Sequence, residues 1–322
     1  MSDIKSRKFK YIWLLTYGME RKLINQGKGG LTLYLPKKWA DRKGLKGGDS
    51  VQIAETETEL VISCRTRGKY KIEVNVSDDN RHDFYVLLSH CYRRGFDTIE
   101  FKGVTSSDVE KIKTLTHDLL LGFEVIETRK TSITIGNVSE PSGEKYEPLV
   151  QRLFFILKET NRVVLEDFRR GVFDNPKELL DLRTQQDKFV FFCKRILSRE
   201  KTKGIVLGWE LLTWLLHIQH GYDYLYKYAC KHPVKQPSRI IELLEAQSKD
   251  LDLYSLAYLN KDIKAIHTLN VRKNTYLYGK NYEYLEKSTG AEAVVLAQLW
   301  NISRTILIAQ SPILAEILEK SM

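Results

Sequence analysis

From Pro148 to Met322 the chain holds only four further prolines, Pro176, Pro233, Pro237 and Pro312, and apolar residues recur at spacings of three and four. A helix interior excludes proline, and that period gathers apolar side chains on one face, so this stretch has to be helical nearly throughout. Interruptions at Gly171 with Asn175-Pro176, at Lys203-Gly204, near Asn260, at His232-Pro233 and at Thr289-Gly290 divide it. Six helices follow, over about 146–171, 175–200, 204–231, 237–260, 262–288 and 291–320. Long helices with short connections pack as antiparallel neighbours, which predicts two stacked three-helix bundles.

The front of the chain obeys a different period. In LTLYLP, Leu31, Leu33 and Leu35 fall on one side and Thr32 and Tyr34 on the other, the alternation of a half-buried strand. Pro36 cannot donate to a ladder and ends it; KKWADRKGL then makes one short helix closed by Gly44. GGDS is a turn and VQIAE opens a second strand. Each half of this strand, helix, turn and strand arrangement is too small to bury a core alone.

Charge is uneven. Residues 1–70 hold 15 Lys or Arg against 7 Asp or Glu, whereas the other 252 residues hold 36 against 34. A cationic surface gains affinity for a polyanion by releasing its counterions, so the front of the chain is expected to bind nucleic acid. The residues expected to do so are Arg21 and Lys22 ahead of the first strand, Lys28 in the GKGG turn, and Lys37, Lys38, Arg42, Lys43 and Lys46 around the short helix. Lys38 and Arg42 lie four apart and share a helical face.

Between these parts, KYKIEVNV, RHDFYVLLSHCYRRG, FDTIEF, SSDVEKIKTLTHDLLLG and FEVIETRKTSITIGNV read as β-α-β-α-β-β, a small α+β unit with its helices on one face of a sheet. A serine is expected to cap its second helix, and Gly122 to close it. Arg93, Arg94 and Gly95 read as a charged helix end. The proline- and glycine-broken stretch after Ser139 reads as a linker. The expected organisation is therefore 1–68, a basic nucleic-acid-binding domain with a short N-terminal extension; 69–138, a small α+β domain; 139–147, a linker; and 148–322, a six-helix domain.

No apolar run reaches the roughly 18 residues needed to span a bilayer. Lys5, Arg7, Lys8 and Lys10 precede YIWLLTYG, but the apolar part is short and no small-residue cleavage site follows, so a short helix or strand is expected rather than a targeting segment. Cys64, Cys91, Cys193 and Cys230 lack the paired spacing of a zinc site or disulfide framework, and reduced, mostly buried thiols are expected. The seven histidines are scattered, with no nucleophile motif and no phosphate-cradling glycine loop. The expectation is a cytoplasmic protein that is not an enzyme and needs no cofactor.

Leu35, Pro36, Lys37, Trp39, Gly44, Leu45, Gly48, Asp49 and Val51 resemble the AbrB/SpoVT/MazE family of swapped-hairpin DNA-binding domains over residues 20–64. That resemblance implies a β-barrel completed by hairpins exchanged between two chains, hence a homodimer on double-stranded DNA, with Arg21, Lys22 and Lys28 as the first candidates for contact. The order of the helices resembles the PhoU family, whose members are two three-helix repeats. RGFDTIEF followed by LLLGFEVIE resembles archaeal proteins that join an AbrB-like domain to a PhoU-like one. Physiologically, this resemblance implies control of phosphate uptake.

Many PhoU proteins carry an i, i+4 pair of carboxylates in each repeat for metal ions. Here the corresponding runs are Gln219 to Asp223, where the first carboxylate is an amide, and Ser303 to Leu307, which has none. His217, His220 and Asp223 are spaced three apart on one helical face and remain the weak metal candidates, with Asp181 and Asp187 similarly weak; no metal is expected.

Two functional readings come out of this. One is a dimeric, DNA-binding transcription regulator whose helical domain senses an effector or docks a protein partner. The alternative is a PhoU-like adaptor that docks on a transporter or signalling protein and uses its N-terminal domain only to dimerise; an antitoxin-like role is a third. Neither of the first two calls for membrane insertion.

Overall fold

A computed structural model describes residues 21–27, 29–55, 60–64, 70–139, 143–200, 204–235 and 237–319. The expected element between residues 1 and 20 therefore lies outside the described residues. The chain is mixed α and β and divides into two compact units, Met1–Gly68 and Lys69–Met322.

In the first unit β1 (Ile24–Gln26) turns back through Gly27 and Gly29, both at positive φ, and pairs antiparallel with β2 (Gly30–Thr32). α1 (Lys37–Lys43) follows Pro36 and ends where Gly44 takes φ 67°, as its sequence predicts. Asp49 then fixes the next turn: its Oδ2 accepts from the Lys46 amide at 2.7 Å. β3 (Val51–Glu55) and β4 (Leu60–Cys64) form a second, separate antiparallel hairpin.

The first expected strand is cut short, since β2 stops at Thr32 and not at Leu35. β1 offers only three residues to pair with, so among the described residues the backbone from Leu33 to Pro36 finds no ladder. Nor is the strand half-buried as its alternation predicts. Leu31 is 62% exposed and Leu33 43%, and among the residues of this unit whose burial is described none is buried.

The second unit opens with β5 (Lys71–Asn75), α2 (Phe84–Arg93), β6 (Thr98–Lys102), α3 (Ser106–Leu119), β7 (Phe123–Arg129) and β8 (Ser132–Asn137), in the predicted order. The sheet runs β5-β6-β8-β7, with β5 and β6 parallel and the other pairs antiparallel. Phe84, Leu88, Tyr92, Ile99, Phe101, Ile112, Ile133 and Ile135 are buried between sheet and helices. The cap of α3 is Thr105, not the predicted serine, because Thr105 and Asp108 satisfy each other's amides in a reciprocal box. Gly122 has φ 77°, and a Cβ there would stand 1.8 Å from the Ser139 carbonyl oxygen, so only glycine fits.

The helical stretch comprises α4 (Tyr146–Arg170), α5 (Pro176–Glu200), α6 (Ile205–Ala229), α7 (Ser238–Asn260), α8 (Ile263–Thr275), α9 (Asn281–Glu286), α10 (Gly290–Ala309) and α11 (Ser311–Glu319). The fifth expected helix is interrupted by a π-turn over Tyr276–Lys280, where the Asn281 amide reaches back to the Tyr276 carbonyl. The sixth breaks at Gln310. α4, α5 and α6 pack together, and so do α7, α8 and α10; α4 also lies along α7, and α6 along α10. The two sets share one continuous core.

Through that core runs a chain of neutral polar side chains. Asn161 donates to Tyr222 Oη at 3.1 Å, Tyr222 donates to Gln247 Oε1 at 2.9 Å, and Gln247 Nε2 donates to Ser303 Oγ at 2.9 Å. Thr160 and Gln219 bond one another. Each group is paired, and all but the half-buried Ser303 are buried, so the network fixes which faces of α4, α6, α7 and α10 meet.

The sequence sets 69–138 apart from 148–322 by a linker, of which residues 140–142 lie outside the described residues; the structure unites the two stretches in one unit. Arg195 of α5, 1% exposed, donates to the Phe96 carbonyl at 2.8 Å and pairs with Asp97 at 3.2 Å. Arg199 donates to the Gly95 carbonyl at 2.8 Å and to the same Asp97 oxygen at 2.6 Å. Two arginines one helical turn apart thus read the loop after α2.

Candidate nucleic-acid interface

Seven of the eight cations expected to meet nucleic acid are described, and all seven are exposed. Lys28 lies outside the described residues. Arg21 and Lys22 precede β1, Lys37 and Lys38 open α1, Arg42 and Lys43 form its last turn, and Lys46 starts the Asp49-capped turn. Arg42 Nε donates to the Lys38 carbonyl at 3.2 Å, which holds its side chain back along the helix beside Lys38.

Three of them converge. Arg21, Lys38 and Arg42 rim a groove of about 1180 Å³ whose walls are Leu23, Leu33, Leu35, Trp39, Leu60 and Ile62, with Asp41 the acidic group at its edge. The period-four face predicted for Lys38 and Arg42 therefore exists and faces this groove. Lys22, Lys37, Lys43 and Lys46 do not line it.

Among the described residues, none of these seven cations forms an ion pair, whereas the lysines and arginines of the second unit repeatedly do. An unpaired exposed cation is free to neutralise a phosphate, and doing so releases counterions condensed on the nucleic acid.

The weak metal candidates are not brought together. Asp223 is held by Arg183 and, at 2.8 Å, by Lys227 Nζ. His220 Nε2 instead lies 2.9 Å from Asp187, whose other oxygen accepts from Tyr85 at 2.8 Å. His217 joins neither pair, and burial, then His220 and Lys194, pull its pKa down. Among the described residues no three His, Cys, Asp or Glu side chains converge as a metal ion requires. At the positions where the resembled family carries carboxylates, Gln219 is closed onto Thr160 and Ser303 onto Gln247.

Sequence reading missed the Arg195, Arg199 and Asp97 contact and the burial of Lys194. Partners about a hundred residues apart leave no local pattern. Of the cysteines, Cys193 and Cys91 are buried and burial raises both thiols, while Cys230 is exposed. Among the described residues no helix is long and apolar enough to cross a membrane. Comparison of the chain with protein-family models, with curated proteins and with solved structures found no match in any of the three.

Proposed function

We propose that the chain is a DNA-binding transcription regulator that works as a homodimer, with its first unit as the DNA-holding part and its helices as the sensor or docking module. The observation that carries this reading is the groove of the first unit, where unpaired cations rim an apolar surface that nothing described in the same unit covers. Two short hairpins with open edges and exposed leucines cannot persist alone in water. A second copy contributing the same elements would pair the edges and cover Leu31, Leu33 and Ile53, as the AbrB-like resemblance implies. Arg21, Lys38 and Arg42 of both copies would then flank one shared surface.

The PhoU-like order of the helices supports a link to phosphate uptake. The closed, neutral pairs at Gln219 and Ser303 favour a helical part that answers to something other than a bound metal cluster.

Fluorescence anisotropy of labelled duplex DNA with the full chain tests the reading. Replacing Arg21, Lys38 and Arg42 together by alanine is expected to weaken binding at least tenfold without changing the sedimentation coefficient. Undiminished DNA affinity in a variant that still dimerises would instead favour the adaptor reading.

A further inference from the structure

Between the start of α2 and the first three turns of α3, the second unit leaves a cleft of about 760 Å³. Sites for small molecules span about 300–1,000 Å³. Ser107, Lys111 and Leu115 stand four apart along α3, with Glu110 and Thr114 beside them, so one helical face forms a wall about 12 Å long. The other wall comes from Arg81, His82, Phe84 and Tyr85. Phe84 is 3% exposed, and the Tyr85 hydroxyl donates to Asp187 of α5 at 2.8 Å, which leaves the ring to the cleft.

Along α3 the cleft changes from polar to apolar. Arg81 is held in place from two sides: its Nη1 bonds Asp108, and its Nε lies 3.5 Å from Asp78. Its Nη2 is left without a partner among the described residues. Asp108 is 2% exposed and accepts from the Thr105 amide at 2.9 Å, so the guanidinium is anchored to the cap of α3. Lys111 follows Asp108 by one turn on the same helix, which sets it next to the turn that holds Arg81. Its neighbour Glu110 is occupied by Lys113 at 2.9 Å, and Lys111 itself forms no ion pair among the described residues. One turn further the α3 wall becomes apolar at Leu115, with the rings of Phe84 and Tyr85 on the other wall.

We infer that this cleft binds a flat aromatic monocarboxylate of about two rings, its carboxylate on Lys111 and Arg81 and its rings against Phe84, Tyr85 and Leu115. A carboxylate accepts charge-assisted hydrogen bonds from an ammonium and from a guanidinium already fixed in place, while the rings remove apolar surface from water. The length of the wall fits two fused rings; a free inorganic ion would leave the apolar part empty. Asp78 and Asp108 already balance Arg81, and Glu110 is matched by Lys113. Lys111 is therefore the unpaired positive charge, and it calls for one negative charge and not two. The site stands on the second unit alone and does not depend on whether the first unit holds DNA.

The test is the fluorescence anisotropy of naphthoate titrated with the full chain at constant ionic strength. Anisotropy is expected to rise and saturate at one naphthoate per chain. Lys111→Glu, a change at an exposed position, should weaken binding at least tenfold, and Thr114→Trp, whose ring would fill the cleft, should abolish it; melting temperatures check that both variants are folded. Lys177→Ala, which removes an exposed cation of α5 that does not line the cleft, should leave binding unchanged. Naphthylmethanol, with the rings but no charge, and acetate, with the charge but no rings, should each compete at least tenfold less well than unlabelled naphthoate. No saturable binding by wild type, or undiminished binding in either cleft variant, would overturn the site. Naphthylmethanol competing as well as naphthoate would overturn the assignment to an anion, and naphthalene dicarboxylate competing better would overturn the single charge.

Discussion

Asp97 accepts from the Tyr70 amide at 2.9 Å through one oxygen and from Arg195 and Arg199 through the other. Replacing it by alanine removes the carboxylate oxygen that both guanidiniums use, so Asp97→Ala is expected to cost at least about 1.5–3 kcal/mol in urea unfolding. Lys194 carries the opposite lesson. Its folded pKa of about 7 lies below the 10.5 of a free amine, so between those values the unfolded chain binds more protons than the native one. Stability should therefore rise as pH climbs from about 7 toward 10. Lys194→Met, which removes the buried amine, should be more stable than wild type at pH 7, and the gap should close by pH 10. Urea midpoints across that range, compared for the two proteins, check both the sign and the window.

At the scale of elements, local chemistry made most boundaries legible. The outer ends of all six predicted helices fall within two residues of those expected, although the fifth and sixth are interrupted within, because Gly171, Pro176, Gly204 and Gly290 stop or start the backbone there. What the local pattern could not carry was competition between neighbours. Thr105 takes the cap of α3 from Ser106 because Asp108 sits where a reciprocal box needs it. The interruption at Tyr276–Lys280 leaves the apolar period intact and so is invisible in it. LTLYLP has the period of a strand, yet a period cannot supply the partner strand that Leu33 and Leu35 do not find among the described residues. Gly122→Ala tests how rigidly such junctions are set. With φ at 77° and the Ser139 carbonyl in the path of a Cβ, it should lose at least about 1–3 kcal/mol by thermal unfolding.

For the molecule as a whole, charge and burial are divided between the two units. The second holds the continuous core and pairs many of its cations; among the described residues of the first, Arg21, Lys22, Lys37, Lys38, Arg42, Lys43 and Lys46 are exposed and form no ion pair. The basic balance of the front of the chain was readable by counting. That Arg21, Lys38 and Arg42 share a groove with Trp39 was readable only in part, since Arg21 reaches it from another element. If two copies cover the exposed leucines, Leu33→Glu should shift the protein from dimer to monomer in sedimentation velocity while leaving its far-ultraviolet helical signal unchanged.

The central claim is that unpaired cations of the first unit, doubled by a second copy, face the phosphates of duplex DNA. The most direct measurement is the affinity of the full chain for duplex DNA as salt is raised from low to physiological concentration. The account predicts tight binding at low salt and a log-log slope of about −4.5 or steeper, the release expected for five or more phosphate contacts. Binding that is absent at low salt, or that does not change as salt rises, would contradict it.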